Sequence, residues 1–250
     1  MLNFWITITN FGSAAVTVPA AAALTVWLLA ARAWRTAFIW VALFGTGALV
    51  VAASKVMFLG WGLGVRELDF TGVSGHTMLA ATVYPVIAWL LLRRLAWPWR
   101  VLGMAFATAG SVAVGVSRVA LSAHSVSEAV AGCVVGFIVC AAFAWLTRHD
   151  DAPNLKTLPM AASLFVLVMW LHGERVPTQR WITHIALNLS GRDHPYRRAS
   201  WHARKPVVPP VTPSTAPSIT PSITPSSAPS IPASTTSGKT STPVAPAAAR

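Results

Sequence analysis

Two stretches of an otherwise apolar chain collect residues able to do chemistry on an anion. The first runs from Lys55 through Arg66, Glu67 and Asp69 to Ser74-Gly75-His76. The second holds Ser117-Arg118, then His124 and Glu128. Lys55, Arg66 and Arg118 can neutralise a phosphate, the arginines through paired hydrogen bonds. Ser74, Gly75 and His76 open an apolar segment and fit a helix N-terminus, where free N–H groups and the positive dipole end receive an anion. Gly75 lets a ligand come close to the backbone. His124 and Glu128 are four apart, so on a helix they share a face. The carboxylate can accept from one ring nitrogen and leave the other as nucleophile or base. His76 can then protonate a leaving oxygen. Plainer readings of the same residues stay open: His124, Glu128 and His76 as metal ligands, Lys55 and Arg66 as interfacial charges, and Ser74-Gly75 as a helix cap.

The elements that must position these groups are helices in a membrane. Charged residues make up 10% of the 250-residue chain and apolar ones 54%. Soluble domains carry about 25% charged residues, so an ordinary soluble enzyme is excluded. Six apolar runs are legible, at roughly 11–31, 37–58, 77–92, 101–116, 129–147 and 158–172. The first is long enough to cross about 30 Å of hydrocarbon. The fourth and sixth are short, and the sixth fits an interfacial position as well as a span. The expected fold class is all-α: a polytopic membrane helix bundle with about six transmembrane helices and a disordered C-terminal tail. The expected divisions are 1–172 for the membrane core, 173–205 for a basic juxtamembrane segment and 206–250 for the tail. The tail holds 11 of the 18 prolines among Ser, Thr and Ala, a composition that cannot bury enough apolar surface to fold.

The net charge of +12 is shared between core and C-terminal third. No helix-turn-helix, zinc-finger or RNA-binding signature accompanies the bases, so nucleic acid is not the expected partner. Arg32, Arg35, Arg93, Arg94, Arg100, Arg148 and Lys156 follow the odd-numbered runs, while the second and fourth runs are followed by only Lys55, Arg66 and Arg118, and nine further Lys/Arg lie beyond the sixth. By the positive-inside rule the first set is cytoplasmic and the reactive stretches face outward. Cys133 and Cys140 lie about 10 Å apart on one helix, too far for a disulfide, and read as packing residues.

The ordered motifs resemble those of the type 2 phosphatidic acid phosphatase superfamily. Its Pro-Ser-Gly-His motif is matched by Val73-Ser74-Gly75-His76. Its Ser-Arg-x5-His-x3-Asp motif is matched by Ser117-Arg118-x5-His124-x3-Glu128, with Glu for Asp. Its Lys-x6-Arg-Pro motif is met by Lys55 and Arg66, with ten residues between them and no proline. The resemblance implies that His124 attacks phosphorus to form a phosphohistidine, Glu128 orients it and His76 is the general acid. It also implies that Lys55, Arg66, Ser74, Gly75, Ser117 and Arg118 form the phosphate site, with no metal and no cofactor. The implied partner is a membrane lipid phosphate such as undecaprenyl pyrophosphate, phosphatidylglycerol phosphate or phosphatidic acid, met at the outer face of a bacterial inner membrane. A phosphotransferase using the same intermediate, and a non-catalytic membrane protein with a relic site, are the alternatives.

Overall fold

The structure is a computed structural model that describes residues 1–150, 157–173 and 176–202. The proline-rich tail, 206–250, lies outside the described residues. The described chain is helical: α1 Leu2–Phe11, α2 Ala14–Ala30, α3 Trp34–Trp61, α4 Gly75–Leu92, α5 Trp97–Ala120, α6 Val126–Leu146, α7 Thr157–Leu171, α8 Thr178–Ser190 and a last turn, α9 Ala199–His202. A 3-10 turn, Arg66–Leu68, and an isolated bridge between Val65 and Phe70 shape the α3–α4 connection.

Five segments are long and apolar enough to cross a membrane: Leu2–Ala30, Trp34–Trp61, Gly75–Leu92, Trp97–Ala120 and Val126–Leu146. The fourth apolar run is therefore longer as a helix than its hydropathy indicated. Trp97-Pro98-Trp99 starts it early, proline being suited to a first helical turn, and polar Ser117 and Arg118 carry it to Ala120. The first run also gains a turn-rich extension, since α1 begins at Leu2 and breaks at Gly12-Ser13 before α2. Tyr84 donates its hydroxyl to the Phe11 carbonyl at 2.6 Å, which satisfies a backbone group freed at that break. The sixth run is the shorter apolar helix, Leu158–Leu171.

α4 is the central helix, packed against α5, α6 and α2. Thr77, Met78, Ala80, Ala81, Thr82, Val83 and Val86 on it are all buried. Its approach to α6 depends on missing side chains: a Cβ on Gly132 would lie 2.7 Å from the Ser74 carbonyl oxygen, and one on Gly136 would lie 2.7 Å from that of Met78. Small residues let membrane helices approach this closely. A second apolar layer joins Leu24, Leu28, Trp40, Val83, Val86 and Phe143. Trp40 meets Phe143 edge to face at 5.9 Å and donates its indole N–H to the Ala21 carbonyl at 3.2 Å. The outward faces of the long helices are apolar as well: Phe38, Trp97, Phe106 and Ile138 are exposed. Large exposed apolar side chains around a core containing buried threonines and serines are what lipid, rather than water, selects.

The antiparallel helices sort the charges to two ends. At one end Arg93 donates to the carbonyls of Thr147, Arg148 and Asp150, and Arg35 pairs with Asp150. At the other end the α3–α4 and α5–α6 connections meet.

Candidate active site

A cavity of about 1340 Å³ opens at this second end. Lys55 reaches it from the last turns of α3, Gly75 and His76 from the first turn of α4, and Arg118 from the last turn of α5. His124 comes from the turn between α5 and α6, and Glu128 from the first turn of α6. Six of the residues expected to do chemistry thus line one space, brought together from four helices.

The turn that carries His124 is tightly determined. The Arg118 carbonyl accepts from the N–H groups of Ala123 at 3.0 Å and His124 at 3.2 Å. Ser125 then caps α6 in a capping box: its hydroxyl accepts from the Glu128 N–H, and the Glu128 side chain reaches back to the Ser125 N–H. The same Glu128 carboxylate accepts from His124 Nδ1 at 2.6 Å. That bond places the ring proton on Nδ1 and leaves Nε2 with its lone pair. His124 is 14% exposed and Glu128 1%. Burial lowers the His124 pKa, the Glu128 hydrogen bond opposes that, and the nearby Lys55 and Arg118 cations reinforce it. The net direction is downward, toward neutral imidazole.

Three expected residues sit differently. Ser74 is fully buried behind the cavity, its hydroxyl paired with Thr77 at 3.0 Å and its N–H donating to the Glu128 carbonyl at 3.1 Å. Ser117 is fully buried and donates to the Val114 carbonyl at 2.6 Å. Neither hydroxyl lines the cavity. Arg66 is exposed on the 3-10 turn, with its guanidinium 5.8 Å from the Trp201 ring centre, and is likewise absent from the cavity wall.

Other residues take part that the motifs do not contain. Thr71 donates its N–H to Glu128 Oε1 at 2.8 Å and its hydroxyl to the same oxygen at 2.5 Å. Arg198, from the segment after α8, reaches that oxygen at 2.6 Å. Arg180 and Arg197 also line the cavity. The chain arrives there because α8 packs on α3. Gly62 ends α3 in the left-handed region at φ 72, directly under the Tyr196 ring, so a side chain there would meet both strain and a clash. The Gly60-x-Gly62-x-Gly64 stretch is the seat of this returning segment, its glycines lying against Ser190, Tyr196 and Trp201 in turn. Only the capping box, Ser125-x-x-Glu128, had a local sequence signal. Among the described residues no three His, Cys, Asp or Glu side chains form a metal-binding group.

A second, apolar groove of about 670 Å³ lies alongside and shares Ala14, Val18, Val176 and Thr178 with the first. Ala15, Pro19, Trp170, Leu171 and Trp181 complete its wall.

A helical membrane bundle with a buried histidine–carboxylate pair in a cationic cavity defines the class. Residues 62–151 match the model of the PAP2 superfamily. A protein of Klebsiella pneumoniae described as an uncharacterized 22.5 kDa protein in the cps region is 36% identical over 203 residues, covering 79% of this chain and 97% of its own. A phosphatidylglycerophosphatase B of Bacillus subtilis (strain 168) is 40% identical over 77 residues, covering 30% of this chain and 38% of its own. No solved structure matches significantly. The chain belongs to the PAP2 superfamily, a membership that fits a phosphatase acting on lipid phosphate.

Proposed function

We propose that the protein is an integral membrane phosphatase that removes phosphate from a lipid phosphate or pyrophosphate, with no metal, through a phosphohistidine on His124. The observation that carries this reading is the His124–Glu128 bond at 2.6 Å in a cavity lined by Lys55 and Arg118. His124 Nε2 attacks phosphorus and the bond from phosphorus to the leaving oxygen breaks, while His76 donates a proton to that oxygen. Water then attacks the phosphohistidine, the P–N bond breaks and His76 takes the water proton. Lys55, Arg118 and the N–H groups opening α4 at Gly75 hold the phosphate oxygens and the charge that builds on them. Buried Ser74 and Ser117 support the wall that these groups share.

Lipid substrates suit this arrangement because the apolar groove shares four residues with the cationic cavity. The phosphate occupies the cavity while a hydrocarbon chain lies against Pro19, Trp170 and Trp181. Phosphatidylglycerol phosphate leads the candidates, given the Bacillus relative's name; undecaprenyl pyrophosphate and phosphatidic acid follow. The site end is read as facing outward, because the α3–α4 and α5–α6 connections carry one arginine, Arg66, whereas Arg32, Arg93, Arg94 and Arg148 follow helices at the opposite end.

Phosphate release by the purified protein in detergent with EDTA tests this directly. Release from one of the three lipids that persists in EDTA and disappears in His124→Ala is expected. Release that EDTA abolishes, or that His124→Ala retains, overturns the proposal.

A further inference from the structure

We propose that Arg198, outside the residues matched to the family, is a positioning residue for the reaction: it neutralises Glu128 and thereby holds His124 neutral, oriented and reactive. The inference rests on the reading of His124 as nucleophile.

The hydrogen bonds at Glu128 carry the case. Oε2 accepts from His124 Nδ1 at 2.6 Å and from the Ser125 N–H at 3.3 Å. Oε1 accepts from the Thr71 N–H and hydroxyl and from Arg198 Nη2 at 2.6 Å. Arg198 also donates to the Thr71 hydroxyl at 3.3 Å, and its Nε faces Asp69 at 3.5 Å. Arg198 is therefore the permanent cation in direct contact with this 1%-exposed carboxylate among the described residues. A buried carboxylate without a charged partner is costly. With Arg198 gone, the nearest remedy is a proton on His124, which would occupy Nε2 and end its nucleophilicity. Arg198 supplies the positive charge from a group that cannot lose its proton.

The segment is built to keep Arg198 there. The Tyr196 N–H donates to the Leu59 carbonyl at 2.9 Å. The Trp201 ring meets Phe58 edge to face at 5.2 Å, and the Arg66 guanidinium lies 5.8 Å from the Trp201 ring centre. Arg66, the arginine of the loose first motif, thus supports the segment that delivers Arg198. The extra methylene of glutamate over aspartate helps one carboxylate meet both the histidine of its own turn and an arginine from 70 residues away. Other charges face the pair from each neighbouring element: Lys55 on α3, His76 on α4, Arg118 on α5, Asp69 on the connecting loop, and Arg180 and Arg197 on the C-terminal side.

The test uses the full chain in detergent with phosphatidylglycerol phosphate as the probe, or another of the three lipids if the wild type turns that one over. Arg198→Ala is expected to lower kcat by about 10- to 100-fold, taking as guide the loss when the outer-shell partner of a metal-binding histidine is removed. KM is expected to stay nearly constant. Loss of the cation favours protonated His124, so the acid limb of the kcat/KM profile moves to higher pH. Arg198→Lys is expected to restore part of both, which a purely structural role would not require. If Arg198→Ala does not purify folded, Arg198→Gln and Arg198→Lys carry the same comparison. Wild-type kcat and an unmoved acid limb, with His124→Ala inactive, overturn the role of Arg198 alone. A loss confined to KM also overturns it, because that is the behaviour of a substrate ligand. An active His124→Ala removes the reading on which the inference stands.

Discussion

In the proposed mechanism His124 attacks phosphorus, which requires Nε2 to be unprotonated, and its surroundings favour that state. Burial lowers its pKa, and the Glu128 hydrogen bond opposes this without reversing it. An ordinary histidine titrates near about 6.5. The activity of the free protein is therefore lost only as pH falls through a value below that. The acid limb of kcat/KM is expected below pH 6.5, measured on the lipid that the wild type turns over; a limb at or above it contradicts a nucleophile held neutral by burial. The motif residues with reactive side chains were readable as such from their types and spacing, although His124 sits in the turn before α6 and meets Glu128 across the helix cap rather than along a helix face. Ser74, Ser117 and Arg66 were readable as residues but not as positions. A hydroxyl's direction depends on the local backbone, and Ser117 turns inward to the Val114 carbonyl at 2.6 Å. Arg198 carried no signal at all, since its partner Glu128 is 70 residues away in sequence.

The long apolar helices were legible from hydropathy alone, but their ends and contacts were not. α5 runs four residues beyond its apolar run at each end: Trp97-Pro98-Trp99 starts it early, and Ser117 and Arg118, turned toward the protein, carry it on to Ala120. The closest packing, between α4 and α6, was hidden because glycine adds little to hydropathy. Gly132 faces the Ser74 carbonyl at the very start of α4. A side chain there must push the two helices apart exactly where Gly75, His76 and Glu128 converge. Gly132→Val is expected to cost about 1–3 kcal/mol, the range for overpacking a tight interior. It is also expected to lower turnover, because the cavity wall shifts with the helices. Thermal unfolding in detergent, paired with phosphate release, checks both. An unchanged melting temperature with normal turnover contradicts the close approach.

Across the molecule, the sequence pattern separated two sets of loop charges, and the structure places their described members at opposite ends of the bundle; Lys156 lies outside the described residues. Arg93 and Arg35 tie one end together through Asp150 and neighbouring carbonyls, while the cavity occupies the other. The proposed orientation, with the cavity end outside, follows from applying the positive-inside rule to the connections between the long helices. A cysteine at exposed Leu68, in a background with Cys133 and Cys140 replaced by alanine, is expected to react with a membrane-impermeant maleimide in intact cells. A cysteine at Arg94 is expected to react only after the cells are opened; the reverse pattern contradicts this orientation. In the proposed function the bundle presents a lipid phosphate to one histidine. Rapid acid-free quenching after mixing with substrate carrying 32P in the transferred phosphate measures that most directly. The expected result is protein-bound label, labile to acid and stable to base, in the wild type and absent from His124→Ala. Turnover with no such label, or the same label on His124→Ala, would contradict it.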